Sequence, residues 1–285
     1  MKKLLTLILT ALMALTAVFG LTACKKDDTT VNPRDKYIVV GYTDYAPMNY
    51  NDNGVFKGFD TELAIMTFEA LGYNVKFQVI NWQNKYVELT NNVDCIWNGF
   101  TSNGKDENES GQVVERAQLV DFTYNYMENA QCIIRMSGTP AITSPSDFTG
   151  KSLTFENGSS GASLAASYKS GDANDPSDDV NVMLEGSKTQ MEAVQKVFSG
   201  SCPYAIVDLR LAQTAINGGG YSGLTINEGL DIGIEYYAVA FAKGSELVEK
   251  VNTMFEAFSK TGYLLELATK YKLDNAVILD FANQK

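Results

Sequence analysis

Short apolar runs alternate with amphipathic stretches of helical period, and this alternation occurs twice along the chain. A strand, a helix and a strand at such spacing build a mostly parallel sheet with crossover helices, which leaves an α/β architecture as the expected fold class. Tyr37-Ile38-Val39-Val40-Gly41 reads as a buried strand, followed by a turn around Asn51, Asp52, Asn53 and Gly54. Asp60 is expected to open a helix as its cap, with Glu62 in the first turn and Leu63, Met66, Ala70 and Leu71 as the buried stripe. Gly72 ends it. Val75, Phe77 and Val79 alternate as a second strand, Gln83 to Asn91 is a helix, and Asp94 to Trp97 is a third strand.

The pattern then restarts. Cys132 to Arg135 and Lys151 to Phe155 are strand-like, and Glu156-Asn157-Gly158-Ser159-Ser160 leads into a helix that reaches Lys169. Asp172 to Asp179 is an acidic loop. Lys188 to Ser199 is a helix with Met191, Val194, Val197 and Phe198 on one face, and Tyr204 to Val207 is a strand ending at Asp208. A short strand near Thr225, an apolar run from Tyr236 to Phe241 and helices over Leu247 to Phe258 and Tyr263 to Tyr271 complete the chain. Two α/β lobes are expected, not a tandem repeat.

The first residues read as an address. Lys2 and Lys3 precede an apolar run from Leu4 to Phe19, and Leu21-Thr22-Ala23 stands before Cys24. A basic start, a short apolar core and a small-residue cleavage site describe a secretory signal peptide. Small residues immediately before a Cys match the bacterial lipobox, in which the Cys becomes the lipid-modified first residue. Lys25 to Arg34 is a polar tether. No second apolar stretch of about 18 residues follows.

Composition removes whole classes of function. The 285 residues carry 23 Lys and Arg against 34 Asp and Glu, a net charge of −11, with no basic block to neutralise nucleic-acid phosphates. His is absent, which excludes His triads, His acid–base catalysis and His metal sites. Cys95, Cys132 and Cys202 have no metal-ligand spacing, so neither a metal nor a cofactor is expected. An odd number cannot all pair internally. Cys95 and Cys132 read as buried thiols, and a pairing of Cys202 stays open.

Several stretches carry a resemblance. Gly41-Tyr42-Thr43-Asp44-Tyr45-Ala46-Pro47-Met48, Gly58-Phe59-Asp60-Thr61-Glu62-Leu63-Ala64, Trp82 with Leu89, and Asp94-Cys95-Ile96-Trp97-Asn98-Gly99-Phe100-Thr101 occur in order. Glu115-Arg116 with Val120-Asp121-Phe122-Thr123, Gly158-Ser159-Ser160-Gly161, Ala205-Ile206-Val207-Asp208 and Glu235-Tyr236-Tyr237-Ala238-Val239-Ala240 follow. From about Asp35 to Leu273 the chain resembles the amino-acid-binding solute receptors of bacterial ABC importers. The resemblance implies a two-lobed, type 2 periplasmic-binding-protein-like fold, with a ligand cleft between lobes joined by two hinge crossings. With the leader read above, the chain divides into a signal peptide at 1–23, the lipidated Cys and tether at 24–34, and, by resemblance, lobe 1 at 35–128 and 231–285 and lobe 2 at 129–230.

An amino acid presents a carboxylate, an ammonium and a side chain, so its receptor needs a cation with N–H donors, an anion and apolar walls. Arg116 can clamp a carboxylate with its planar fork. Ser159 and Ser160, in a turn before a helix, offer N–H groups to the same anion. By resemblance Asp208 takes the ammonium, with Asn98, Gly99 and Thr101 assisting at a strand end, and Tyr45 and Trp82 flank the ligand's side chain. Asp44 and Glu156 lie beside these positions, where either could read a basic side chain or simply be a solvated loop acid. In this chain Ser102 to Val114 intervenes before Arg116 and reads as a surface loop. The implied partners are an amino acid, an ABC permease and the membrane, the last through lipid on Cys24, for a monomer outside the cytoplasm. An enzyme like the cyclohexadienyl dehydratases of this fold is the alternative, but it would need a placed acid or base. A ligand-sensing input module would need a membrane helix leading to a signalling domain.

Overall fold

The computed structural model describes residues 36–170, 180–230 and 232–284. The expected signal peptide, Cys24 with the expected tether, and the expected acidic loop after Gly171 lie outside the described residues, as do Asp35 and Asp231 at the expected lobe limits.

In the first part of the chain come β1 (Tyr37–Tyr42), the hairpin β2 (Tyr50–Asp52) and β3 (Val55–Lys57), α1 (Phe59–Ala70), β4 (Asn74–Val79), a single 3-10 turn (Trp82–Asn84), α2 (Lys85–Asn91) and β5 (Cys95–Thr101). The hairpin β6 (Lys105–Glu107) and β7 (Val113–Glu115), the one-turn α3 (Arg116–Leu119), β8 (Asp121–Phe122) and β9 (Met127–Asn129) follow. The middle part holds β10 (Gln131–Met136), β11 (Ser152–Glu156), α4 (Ser160–Ser170), β12 (Met183–Ser187), α5 (Gln190–Phe198), β13 (Tyr204–Asp208), α6 (Leu209–Asn217) and β14 (Leu224–Ile226). The chain ends with β15 (Glu235–Phe241), α7 (Leu247–Lys260) and α8 (Tyr263–Lys270).

Two sheets result. One runs β4-β1-β5-β15-β8, with β9 also on β15, and the other runs β12-β11-β13-β10-β14. In the first, β1 is parallel to β4 and β5, and β15 is antiparallel to its neighbours. In the second, β11 is parallel to β12 and β13, and β10 is antiparallel to β13 and β14. The chain passes between the sheets twice, from β9 to β10 and from β14 to β15. This is the two-lobed, type 2 periplasmic-binding-protein-like arrangement expected from the sequence.

β5 is buried along its whole length, as a central strand covered on both faces must be. It extends past Trp97, where the apolar signal stops, because the Asn98 side chain finds partners inside: it accepts from the Thr43 N–H at 2.9 Å and donates to Thr43 Oγ1 at 2.7 Å. Trp97 fills the first lobe's core edge-on to Phe255 and Phe68. The second lobe has its own core around Phe148, Leu153, Tyr204 and Ile206.

Three local expectations are corrected. Asp60 does not cap α1: Gly58 holds the N-cap position at φ +141°, where a Cβ would strike the Met48 carbonyl. Asp60 turns inward instead and accepts from the Gly99 N–H and the Tyr126 hydroxyl, both at 2.8 Å. Phe198 is 41% exposed, on the edge of the α5 stripe, and lies against Tyr221. The surface loop expected before Arg116 is the paired hairpin β6–β7, with Asp106 turned inward from it. Cys95, Cys132 and Cys202 are free, buried thiols.

Candidate functional site

Strand ends and helix starts of the two sheets meet across one small cavity. Trp82, Asn98, Gly99, Thr101 and Arg116 line it from the first sheet; Ser159, Ser160 and Asp208, with Glu156 and Gln190, line it from the second. Eight of the nine residues expected to touch a ligand are therefore brought together. The free volume is about 10 Å3, room for about one water molecule, so the cleft is shut.

Arg116 starts α3 and is only 1% exposed. Its Nη1 donates to the Thr101 carbonyl at 3.0 Å and to Ser160 Oγ at 3.3 Å, the latter across the cleft. Its Nε and Nη2 face the two carboxylate oxygens of Asp106 on β6, at 3.1 and 3.4 Å. Thr101 Oγ1 donates to Glu235 Oε2 at 2.9 Å and accepts from Ser160 Oγ at 3.1 Å. Ser159 Oγ caps α4 by accepting from the Ala162 N–H at 3.2 Å.

Gly99 sits at φ +57°, and a Cβ there would come within 2.7 Å of the Tyr45 ring. Glycine is what lets β5 pass this close. The ninth expected residue, Tyr45, is buried behind Gly99 and does not line the cavity; its hydroxyl meets that of Tyr237 at 2.7 Å. Trp82 packs on Phe100 with ring centroids 5.0 Å apart. The Asn98 side chain is committed to Thr43 and Asn49, leaving its backbone for the cleft.

Asp208 stands at the N-cap of α6 but makes no side-chain capping bond. Its carboxylate turns into the cleft and accepts from Gln131 Nε2 and from the Tyr237 hydroxyl. Burial raises its pKa, against those hydrogen bonds. Glu235 is buried beside it, bonded to Asn129 at 2.5 Å and Gln131 at 2.9 Å. Burial and the Asp208 charge push Glu235 up to about 7. Glu156 is 4% exposed, its Oε1 has no hydrogen-bond partner, and burial followed by Asp208 pushes it up to about 8 despite Lys85. Asp44, by contrast, is exposed.

Lys85, 2% exposed at the start of α2, donates to the Gly158 carbonyl of the opposite lobe at 2.9 Å and pairs with Asp106 at 3.0 Å. Burial and then the Arg116 charge lower it to about 8. Burial raises the Asp106 pKa, but Arg116 and Lys85 outweigh it and leave the carboxyl below its usual range.

Glu235, Gln131, Gln190, Lys85, Asp106 and Tyr237 are the polar members that sequence reasoning missed. Lys85 and Gly158 are 73 positions apart, and Gln131 and Glu235 are 104, so no local spacing announces them. A lysine between Trp82 and Tyr86 in a half-apolar helix was the one visible sign. Among the described residues no group of three or more Cys, Asp or Glu is placed to hold a metal ion.

The chain matches the family model of bacterial extracellular solute-binding proteins, family 3, over residues 37–274. It is 27% identical over 282 residues to the arginine-binding extracellular protein ArtP of Bacillus subtilis (strain 168), covering 95% of this chain and 98% of that protein. Among solved structures it is similar to an ancestral arginine-binding protein bound to arginine, with 26% identity, a TM-score of 0.70, and 82% and 97% of the two chains covered. A substrate-binding protein of an ABC uptake transporter from Streptococcus pneumoniae, with bound histidine, shows 28% identity, a TM-score of 0.67, and coverage of 82% and 92%.

Proposed function

From the premise that this chain belongs to the bacterial extracellular solute-binding proteins of family 3, an amino-acid-binding family of ABC uptake systems, we propose that it captures a cationic amino acid of the arginine type. Charge balance supports the choice. Four buried or half-buried carboxylates, Asp106, Glu156, Asp208 and Glu235, surround the cleft against two cations, Lys85 and Arg116. With Glu156 and Glu235 raised to about 8 and about 7, a zwitterionic ligand leaves part of that acid excess protonated, whereas a ligand with a second positive charge can hold it ionised. The observation that carries the proposal is Glu156, a buried cavity carboxylate with an oxygen lacking any partner. So dry a place keeps an unpaired carboxyl neutral until a cation arrives to stabilise its charge. The relatives named for arginine point the same way.

In this reading Arg116, Ser159, Ser160 and Thr101 receive the ligand's carboxylate, Asp208 with the Asn98–Gly99 backbone receives its ammonium, and Trp82, backed by Tyr45 behind Gly99, supplies the wall. The two lobes, 35–128 with 231–285 and 129–230, open and close about the two crossings. The protein acts as a receptor without turning its ligand over. It is held at the membrane by lipid on Cys24 and hands its ligand to an ABC permease as a monomer.

Thermal melting against L-arginine, L-lysine, L-ornithine, L-glutamine and L-citrulline tests the ligand class. A ligand at 100 times its dissociation constant adds about 2.7 kcal/mol of stability. The cationic three should shift the melt, and L-citrulline, the neutral isostere of L-arginine, should shift it far less. Equal shifts for L-arginine and L-citrulline would remove the cationic reading, and no shift with any amino acid would remove the receptor reading.

A further inference from the structure

The hairpin before Arg116 is not mere surface. Along β6 the side chains alternate, so Lys105 and Glu107 face water while Asp106 turns inward. There Asp106 meets three donors at once: the Arg116 fork, Lys85 Nζ at 3.0 Å and the Tyr86 hydroxyl at 2.6 Å. Lys85 and Arg116 are the two most deeply buried cations of the cleft, 2% and 1% exposed. Side by side without a counter-charge they would repel each other where little water can screen them.

Lys85 also reaches across. Its ammonium stands among the rings of Trp82, Tyr86 and Phe100, 4.8–5.9 Å from their centroids. From there it donates to the Gly158 carbonyl, in the turn between β11 and α4 of the second lobe. The lobes touch at that point: a Cβ on Gly158, which sits at φ +72°, would lie 3.0 Å from Gln83 Cα. The contact therefore depends on a glycine in the second lobe and on a charged hydrogen bond from the first.

We propose that Asp106 is a positioning residue delivered by the hairpin: it holds Arg116 and Lys85 in place together, and Lys85 then latches the closed cleft through the Gly158 carbonyl. The latch belongs to the chain itself; only its effect on ligand residence rests on the receptor reading above. Without Asp106, Arg116 loses two of its fixed bonds and Lys85 is driven off its site, so the closed form loses both its clamp geometry and its latch.

Amide hydrogen exchange of the full chain without ligand tests this, because exchange reports the free energy of local opening. Asp106→Asn and Lys85→Met should each speed exchange about ten-fold or more in two facing segments, 82–86 and 158–162, while β1 and β11 keep their protection. Lys85→Arg, which keeps charge and donor, should restore most of it. The proposal is overturned if Asp106→Asn speeds exchange only within 102–115 and 158–162 keeps wild-type protection. Should Asp106→Asn lose protection in β1 and β11 as well, Lys85→Met decides alone: unchanged exchange at 158–162 overturns the latch, and faster exchange upholds it. With L-arginine as probe, stopped-flow dissociation should be about ten-fold faster in both variants than in wild type. Wild type that fails to bind L-arginine counts against the arginine reading and leaves the exchange result to decide the latch.

Discussion

The Tyr237 hydroxyl donates to the Asp208 carboxylate at 2.9 Å, tying β15 of one sheet to the end of β13 in the other. Gln131 Nε2 donates to the same carboxylate from the start of β10. Asp208 thus meets neutral donors from both sides of the shut cleft, while burial makes its charge costly. A ligand ammonium would give it the opposite charge that neither donor carries.

Asp208→Asn should therefore separate binding from stability. Removing one partner of a buried, hydrogen-bonded charge pair costs about 2–5 kcal/mol, a loss of about 30- to several-thousand-fold at about 1.4 kcal/mol per factor of ten. The unliganded protein should melt no lower than wild type, since Asn is nearly isosteric and removes repulsion with Glu156 and Glu235. Calorimetry with L-arginine and melting without it give the two readings. N-acetyl-L-arginine should fail on the wild type; if it binds as well as L-arginine, Asp208 is not the ammonium site.

Arg116→Ala should remove carboxylate recognition by a similar factor, and L-arginine methyl ester should bind wild type poorly. Arg116→Lys should rescue little, because an ammonium cannot reproduce the fork shared among Asp106, Thr101 and Ser160. Near-wild-type affinity of Arg116→Ala in calorimetry would move the carboxylate onto Ser159, Ser160 and Thr101.

Trp82→Ala tests the wall. Of the two tryptophans, Trp97 is locked in the first lobe's core against Phe68 and Phe255, whereas Trp82 lines the cavity. Ligand-induced fluorescence change should therefore vanish in Trp82→Ala and persist in Trp97→Phe. Affinity should fall by about 1–3 kcal/mol, the scale of one packed side chain. Binding as tight as wild type would show that Trp82 only fills the core beside Phe100.

The fold was legible in the sequence because the central strands of both sheets and most helices carry their own local period. β1, β13 and β15 announce themselves by apolar runs, β4 by the alternation of Val75, Phe77 and Val79, and α7 by Leu247, Val251, Met254, Phe255 and Phe258. What failed locally failed for long-range reasons. Asp60 looks like a cap, yet its partners Gly99 and Tyr126 lie 39 and 66 positions away. The cavity residues were legible where strand ends and a glycine-serine turn coincide with a family pattern, as at Thr101, Ser159 and Asp208. Lys85, Asp106 and Glu235 were not, because a buried charge is defined by partners that only folding brings together.

Cys24→Ala should abolish detergent-dependent membrane association while the domain still melts cooperatively. The motive is the Leu21-Thr22-Ala23-Cys24 junction after an apolar core. Fractionation of the variant with membranes, released only by detergent, would sink the lipid anchor.

Glu156 gives the last prediction. Its folded pKa is pushed to about 8 from an ordinary 4.5 by burial and Asp208, with Lys85 and a Gln190 hydrogen bond opposing. A carboxyl raised on folding lends its stability fully below about pH 4.5 and loses it as the pH climbs through about 8. The unliganded protein should accordingly lose stability across that window, with Glu235, raised to about 7, adding to the slope. Ligand binding should run the other way. A cationic side chain beside Glu156 draws its proton off, so L-arginine should bind with proton release and tighten from about pH 6 to about pH 8. Calorimetry in two buffers of different ionisation enthalpy counts the protons released. Glu156→Gln should reduce that count, flatten the pH profile and narrow the gap between L-arginine and L-citrulline. An L-arginine affinity in wild type that stays level across this range, with no proton released, would mean that Glu156 does not meet the ligand's charge.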